Sequence, residues 1–235
     1  MTLGRLIFNS LTHHARSHLG TLLGAIVAGA VLTGSLVVGD SVKRTLQNQA
    51  EQRLGHIQAA LVQHDRFFRG DLANAIALDD KTHFAPILKL NAAGYVTDTK
   101  KRANQIQLIG IDDSFWRHAR LKSNRPPTLK DGEAFINRLL AVQLGLKAGD
   151  EFSLRIAKPS VLPRDAPLSV AEDLTARLTL TVAKVTGADS ELANFSLRPV
   201  AVPPFNVFVP LAWLQKKSEL PNRANAMLAS GSIPT

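Results

Sequence analysis

The feature that most constrains this chain is an uncharged run of twenty residues near its start, LGTLLGAIVAGAVLTGSLVV at positions 19–38. A helix rises about 1.5 Å per residue, so the run is long enough to cross the roughly 30 Å hydrocarbon core of a bilayer. In lipid the backbone has to satisfy its own hydrogen bonds, which predicts a helix. The chain is therefore predicted to carry one transmembrane helix at its N-terminal end.

A cleaved signal peptide is the competing interpretation, because Ala28-Gly29-Ala30 imitates the small-residue pattern of a cleavage site. The apolar run is, however, longer than the usual signal core of about 7–15 residues, and a long polar lead precedes it. We therefore favour an uncleaved anchor in the inner (plasma) membrane. Basic residues flank the span on both sides and do not set its orientation. We place the N-terminus in the cytoplasm and everything after about Asp40 outside it.

Small residues recur every fourth position along this helix, at Gly20, Gly24 and Ala28. They leave one smooth face, which lets another membrane helix approach closely, so we predict helix packing there. The lead over residues 1–18 has leucine and isoleucine at helical spacing and polar residues elsewhere. That pattern is typical of an amphipathic helix lying in the membrane surface.

A helical stripe of apolar residues continues beyond the lipid-spanning run, with charged residues on the other faces. Its positions are Val42, Leu46, Ala50, Leu54, Ile57 and Leu61. We predict a transmembrane helix and stalk over 19–57. The residues assigned to the transmission of movement along the stalk are Val42, Leu46, Leu54 and Ile57.

Short strand and helix patterns follow in no strict alternation, which predicts an α+β outer domain in two subdomains. Strands are predicted at 60–68, 105–111, 178–187, 206–210 and 225–230, and helices at 71–78 and 211–217. A further short helix, SFWRHA, is predicted at 114–119, with Asp112 or Asp113 as its cap.

The stretch INRLLAVQLGLKAGDEFSLRI, residues 136–156, predicts a short helix, a tight turn and a strand. Asn137 is a good helix N-cap, and Gly145 fits the left-handed residue at a helix end. Gly149 and Asp150 form a turn pair before an alternating strand. Every polar residue here has a structural explanation, so Gly145, Gly149 and Asp150 are assigned to a structural turn motif.

No catalytic signature is present: the sequence lacks a nucleophile elbow, a zinc-protease helix, a phosphate loop and a dinucleotide fingerprint. It also lacks cysteine, which excludes disulfides and thiolate metal sites. The net charge is +9, but the basic residues are scattered, and one tyrosine and two tryptophans offer little for base stacking. We therefore predict no enzyme, no cofactor, no metal and no nucleic-acid partner.

The order of these pieces resembles the N-terminal part of MacB/FtsX-like ABC transporter permeases, the group that includes the lipoprotein-releasing permeases. The resemblance rests on LIGIDDSFW, GEAFINRLLAVQLGLKAGDEFSLRI, NVFVPLAWLQ and NAMLAS, in that order after one membrane helix. The residues that fit the phrase typical of the family's outer domain are Gly132, Leu140, Ala141, Leu144, Gly145, Leu146, Gly149 and Asp150.

The resemblance implies a MacB-like periplasmic core domain with a membrane-proximal, porter-like part at 58–107. A distal inserted subdomain would occupy 108–220, and 221–235 would begin the return to the proximal part. Family members carry three more membrane helices after the outer domain, and these are missing here, so a fragment or a truncated copy is expected.

The resemblance also implies a function. The chain would be the N-terminal portion of a permease subunit that hydrolyses nothing itself. It would pair with a second permease subunit, identical or different, and be driven by a separate cytoplasmic ABC ATPase for export or extraction. The alternative is a single-pass anchored outer domain that binds a partner or a cell-envelope component.

Overall fold

A computed structural model describes residues 4, 12–63, 66–76, 82–97, 99–118, 129–157, 175–187, 194–198, 200 and 202–231. The chain divides into two compact units, Met1–Gln49 and Ala50–Thr235. The predicted surface helix over 1–18 lies mostly outside the described residues.

The first unit consists of helix α1 (Ala15–Leu54), whose last residues belong to the second unit. It is long and apolar enough to cross a membrane, and its apolar side chains are exposed. The hydroxyls of Thr21, Thr33 and Thr45 donate to the carbonyl four residues earlier, at 3.1, 2.7 and 2.9 Å. These bonds satisfy polar side chains within the helix itself. The predicted long apolar helix is confirmed.

Helix α1 ends at Leu54, because Gly55 follows it with a φ of +61°. A glycine in this left-handed conformation is a common helix terminator. Ile57 and Leu61, predicted on the helical stripe, therefore lie beyond the helix: Ile57 lies in the following turn and Leu61 in the first strand. The predicted stalk helix is too long at this end.

The second unit contains ten strands, three further α-helices and one short 3-10 helix (Phe115–Arg117) among its described residues. The strands are β1 (Ala59–Val62), β2 (Phe68–Arg69), β3 (Thr82–Tyr95), β4 (Arg102–Ile111), β5 (Glu133–Asn137), β6 (Glu151–Ala157), β7 (Thr175–Thr186), β8 (Phe205–Pro210), β9 (Arg223–Ala224) and β10 (Ala226–Gly231). The helices are α2 (Leu72–Ile76), α3 (Arg138–Leu144) and α4 (Leu211–Lys217).

Six strands close into a barrel in the order β3-β4-β8-β5-β7-β6, because β6 pairs back onto β3. The β4–β8 and β5–β7 pairs are parallel and the other pairs are antiparallel. Strands β10 and β1 extend the first half of β3, and β2 with β9 forms a small separate pair. This mixed architecture confirms the predicted α+β class.

Two buried apolar clusters share the barrel wall. Alternation along β4 sends Ile106 and Leu108 into the barrel interior and Ile109 to the outer face. The interior cluster also contains Leu140 and Leu144 of α3. The outer cluster is the second core of the domain; it comprises Ala85, Ile87, Ile109, Ile111, Phe115, Phe135, Phe195, Phe208, Ala226 and Leu228.

Most predicted elements appear with shifted ends. The strands predicted at 105–111, 178–187, 206–210 and 225–230 are β4, β7, β8 and β10, and the helix predicted at 211–217 is α4. The strand predicted at 60–68 is wrong, since that stretch contributes to the separate strands β1 and β2. The helix predicted at 71–78 is α2, with its last two residues outside the described part. The subdomain boundaries at 107 and 220 stay predictions.

Candidate functional site

The residues predicted for helix packing, Gly20, Gly24 and Ala28, all lie within α1 and are exposed. Apart from the neighbouring backbone of the helix itself, a Cβ atom added at Gly20 or Gly24 would meet no atom within 4 Å in the described structure. Spacing of four places the three residues along one side of the helix. This side is accessible to a partner helix, and its packing role stays a prediction.

The four residues assigned to transmission have two different environments. Val42 and Leu46 are exposed on α1, whereas Leu54 and Ile57 are half-buried. Ile57 packs against the outer apolar cluster of the domain. The last two therefore do not continue an exposed stripe, and Ile57 contributes to the packing of the second unit.

Residues 53–58, which we call the joint, fasten the end of α1 to the domain. Arg53 Nη1 donates to the carbonyl of Val200 at 2.6 Å. The backbone N–H of His56 donates to the carbonyl of His118 at 2.8 Å, and that of Gln58 to the carbonyl of Ala229 at 2.9 Å. The sequence signals only Arg53, as a basic residue in a last helical turn, and gives no sign of its acceptor.

His118 lies at the joint and is only 1% exposed. Neither of its ring nitrogens has a hydrogen-bond partner among the described residues. Burial lowers the pKa of His118 from its usual 6.5 to about 4, because the imidazolium would lose its water; nearby His83, Arg117 and His56 act in the same direction. Asp112 opposes this shift. The ring is therefore neutral at neutral pH.

The turn motif lies beside the barrel. Asn137 Oδ1 accepts the N–H of Leu140 at 3.1 Å, which confirms the predicted helix cap. Gly145 follows α3 with a φ of +73°, and Gly149 has a φ of +93°. Asp150 Oδ2 accepts the N–H of Lys147 at 2.8 Å across the turn. Each of these contacts is internal to the scaffold.

A cleft of about 1250 Å³ opens next to this motif. Strands β3, β4 and β8, helix α3 and the segment before β8 contribute its lining. The lining residues outside the apolar group are Asn91, Asn104, Gln105, Gln107, Asn137, Arg138, Gln143 and Asn194. Nothing in the local sequence signals this cleft, because its walls come from segments far apart in the chain.

No group of three or more histidine, aspartate or glutamate side chains in the described part of the chain is placed to hold a metal ion.

No protein-family model matches the sequence, and no curated protein matches it. Several solved structures are similar to this chain. The periplasmic region of MacB from Actinobacillus actinomycetemcomitans is 11% identical, with 79% of each chain covered and a TM-score of 0.47. The extracellular domain of the noncanonic ABC-type transporter YknZ from Gram-positive bacteria is 11% identical, with 74% of this chain and 84% of that chain covered and a TM-score of 0.43.

A domain of a permease protein from Porphyromonas gingivalis is 12% identical, with 77% of this chain and 78% of that chain covered and a TM-score of 0.43. Similarity at these identities concerns the fold, and a fold does not by itself carry a function.

Proposed function

We propose that this chain is the N-terminal portion of the permease subunit of an ABC transporter of the MacB, FtsX and lipoprotein-release type. The observation that supports it most is α1, a single helix that contains the apolar run and continues to Leu54. Its last turn is hydrogen-bonded into the mixed sheet-and-helix domain through Arg53. One continuous helix thus contains both the segment proposed to span the membrane and the residues that bond to the second unit.

The length of α1 suits this role. Forty residues correspond to about 60 Å of helix, of which a bilayer core takes about 30 Å. Proline does not occur between Ala15 and Leu54, so the backbone hydrogen bonds can run without a break. A displacement of the helix would be passed through the joint to the carbonyl of Val200 and, through Gln58, to β10.

In this proposal the permease supplies no catalytic group. A separate cytoplasmic ABC ATPase hydrolyses ATP near the N-terminal lead. A second permease subunit, identical or different, pairs with this one through membrane helices. Residues after about Asp40 are extracytoplasmic, and their movement drives export or extraction of a cargo.

Replacement of Gly24 by leucine is expected to weaken pairing in the membrane, because the larger side chain would hold two helices apart. A Leu32→Cys substitution, eight residues along the same side, provides a unique crosslinking site in a chain without cysteine. We expect the crosslinked dimer to fall severalfold in membranes that carry the Gly24→Leu variant.

The matched control is Gly29→Leu, which alters a glycine of the same span on a different side of the helix and also has open space around it. Crosslinking that is unchanged by Gly24→Leu, or reduced equally by both variants, would remove the assigned packing role.

Purification of the full-length protein from its native membrane in mild detergent tests the proposal as a whole. We expect a nucleotide-hydrolysing subunit to co-purify in fixed stoichiometry, with vanadate-sensitive ATP hydrolysis. A single-pass anchored binding domain, the alternative, would purify without such a subunit and without that activity.

A further inference from the structure

On the outer face of the barrel, buried apolar side chains give way to amide side chains two residues further along the strands. Phe208 of β8 pairs with Ile109 of β4, and both belong to the buried outer cluster. Two residues along, Gln107 of β4 lies between Asn206 of β8 and Asn91 of β3 in the register. A row of amide side chains therefore begins where the outer cluster ends. Asn91 and Gln107 of this row line the cleft, whereas Asn206 is buried.

A β-bulge adds two more amides to the same cleft. In β4 the buried residues Ala103 and Ile106 are separated by two exposed ones, Asn104 and Gln105, and both of these line the cleft. The register with β3 shifts at this point, and Gln105 has a φ of +59°. Bulges re-aim side chains, and non-glycine residues held in left-handed backbone occur preferentially at functional sites.

The amides differ in how far the protein already satisfies them. Asn137 Nδ2 donates to the carbonyl of Pro204 at 2.8 Å, and Gln143 Nε2 donates to the carbonyl of Arg102 at 3.2 Å. By contrast, Gln107 Oε1 is buried without a hydrogen-bond partner among the described residues. Buried polar atoms are nearly always paired, so this oxygen indicates a missing donor.

Exposed apolar side chains border the amides. Val142 is 71% exposed and Val202 is 76% exposed, and Leu139 lies one helical turn from Val142. These three are the majority of the exposed large apolar residues described in the second unit, the others being Leu61 and Ile76. Such a local concentration marks a binding surface.

The charge of the lining limits the occupant. Arg138 is the one charged residue among those that line the cleft in the described structure, and no acidic side chain is present there. A ligand with a positive charge would find no acidic side chain to pair with and would face Arg138, whereas a neutral or negatively charged ligand would suit the site.

We propose that this cleft binds an extended peptide segment with apolar side chains and no positive charge. Each primary amide offers both a donor and an acceptor, which matches the alternating N–H and C=O groups of an extended backbone. The apolar rim would receive the peptide side chains, as in other recognition modes for extended segments. This assignment does not depend on the transport function, since an anchored binding domain would use the same cleft.

Other ligand classes match the lining less well. A sugar chain is usually held against aromatic faces, and Phe205 is the only aromatic residue among the described residues that line the cleft. An acyl chain would bury amide groups without giving them hydrogen-bond partners, which is unfavourable.

The probe is a blocked, fluorescently labelled hexapeptide in which valine alternates with threonine after a first glutamate. Fluorescence anisotropy measures its binding to the full chain in lipid nanodiscs. We expect saturable binding that falls about fivefold or more when the peptide backbone is N-methylated, because the donors are lost. Maltohexaose and dodecanoate are expected not to displace the peptide.

Gln107→Met is the sharpest variant. Removal of a buried, unpaired polar atom is expected to maintain or raise the melting temperature, while peptide affinity falls about fivefold. If Gln107 had a purely structural role, the melting temperature and the peptide affinity would fall together. The matched control is Gln58→Met, which alters an exposed amide outside the cleft.

Val142→Ser tests the apolar rim at a largely exposed residue whose replacement leaves the core intact, and Ile76→Ser is its control. We expect weaker binding for Val142→Ser alone. Absence of saturable binding, equal binding of the N-methylated peptide, displacement by maltohexaose or dodecanoate, or wild-type affinity in both cleft variants would each overturn the proposal.

Discussion

Replacement of Asn225 by leucine is expected to lower the free energy of unfolding of the outer domain by about 3 kcal/mol, because two partly buried backbone groups would lose their partners. Asn225 is buried just before β10. Its Oδ1 accepts the N–H of Lys89 at 2.7 Å, and its Nδ2 donates to the carbonyl of Lys89 at 2.8 Å. The side chain thus acts as one more residue of the ladder between β10 and β3.

The backbone of Asn225 strengthens this role. Its N–H donates to the carbonyl of Ile87 at 3.2 Å, and its carbonyl accepts the N–H of Gln63 at 2.7 Å. Asn225 therefore ties β10 to both neighbours, β3 and the end of β1. Loss of its side chain should loosen the edge of the sheet to which the joint is fastened through Gln58.

Urea unfolding followed by tryptophan fluorescence measures this effect, since Trp116 and Trp213 both lie in the second unit. Asn104→Leu is the matched control; it alters an exposed asparagine of the same domain and is expected to change stability by about 0.5 kcal/mol or less. Equal losses of unfolding free energy in the two variants would show that the hydrogen bonds to Lys89 do not account for the effect.

Acidification from pH 7 to pH 4 is expected to destabilise the same domain through His118, by about 3 kcal/mol at most. The folded-state pKa of about 4 lies below the usual value of 6.5. The unfolded chain therefore takes up a proton first as the pH falls below 6.5. The contribution of neutral His118 to the stability of the folded domain is complete above pH 6.5 and is lost progressively as the pH falls toward 4.

His118→Leu should remove this part of the pH dependence. Because neither ring nitrogen has a hydrogen-bond partner among the described residues, the variant is expected to be as stable as the wild type at pH 7, or more stable. Unfolding curves at several pH values between 7 and 4 measure the slope. His14→Leu, a change at an exposed histidine in the first unit, is the control. An unchanged slope in His118→Leu would contradict the assignment.

Local signals allowed several elements to be predicted from the sequence. The uncharged run predicts α1, and Asn137 and Gly145 mark the two ends of α3, because a cap and a left-handed glycine act within a few residues. The end of α1 is missed because Gly55, the residue that terminates it, lies inside an otherwise continuous apolar stripe.

Strand β3 could not be predicted in the same way, although it holds the barrel together. It contains Pro86, Asn91 and Gly94, which are all poor strand formers. Pro86 is tolerated because the pairing with β4 begins only at Leu88. At Gly94 a Cβ would come within 2.6 Å of Ile106 Cδ1, so a larger residue there would displace the end of the Ile106 side chain. Only the paired strands reveal this close approach.

Neither the joint nor the cleft could be predicted from the sequence. The acceptor of Arg53 lies 147 residues away, and it is a backbone carbonyl that any residue could supply. The amides of the cleft look like ordinary surface polar residues until the register of β3, β4 and β8 brings them into one row. Long-range pairing, which no local pattern encodes, creates both features.

Coupling of ATP hydrolysis to movement of the outer domain is tested most directly by a spin-label distance. A label on Ala148→Cys, an exposed turn residue in a chain without cysteine, reports the separation of two copies in the complex isolated from its native membrane. We expect the distance distribution to shift when ATP and vanadate are added. Leu46→Pro, which breaks α1 between the membrane run and the joint, should abolish the shift. An unchanged distribution in the wild type, or a shift that persists in Leu46→Pro, would contradict transmission through α1.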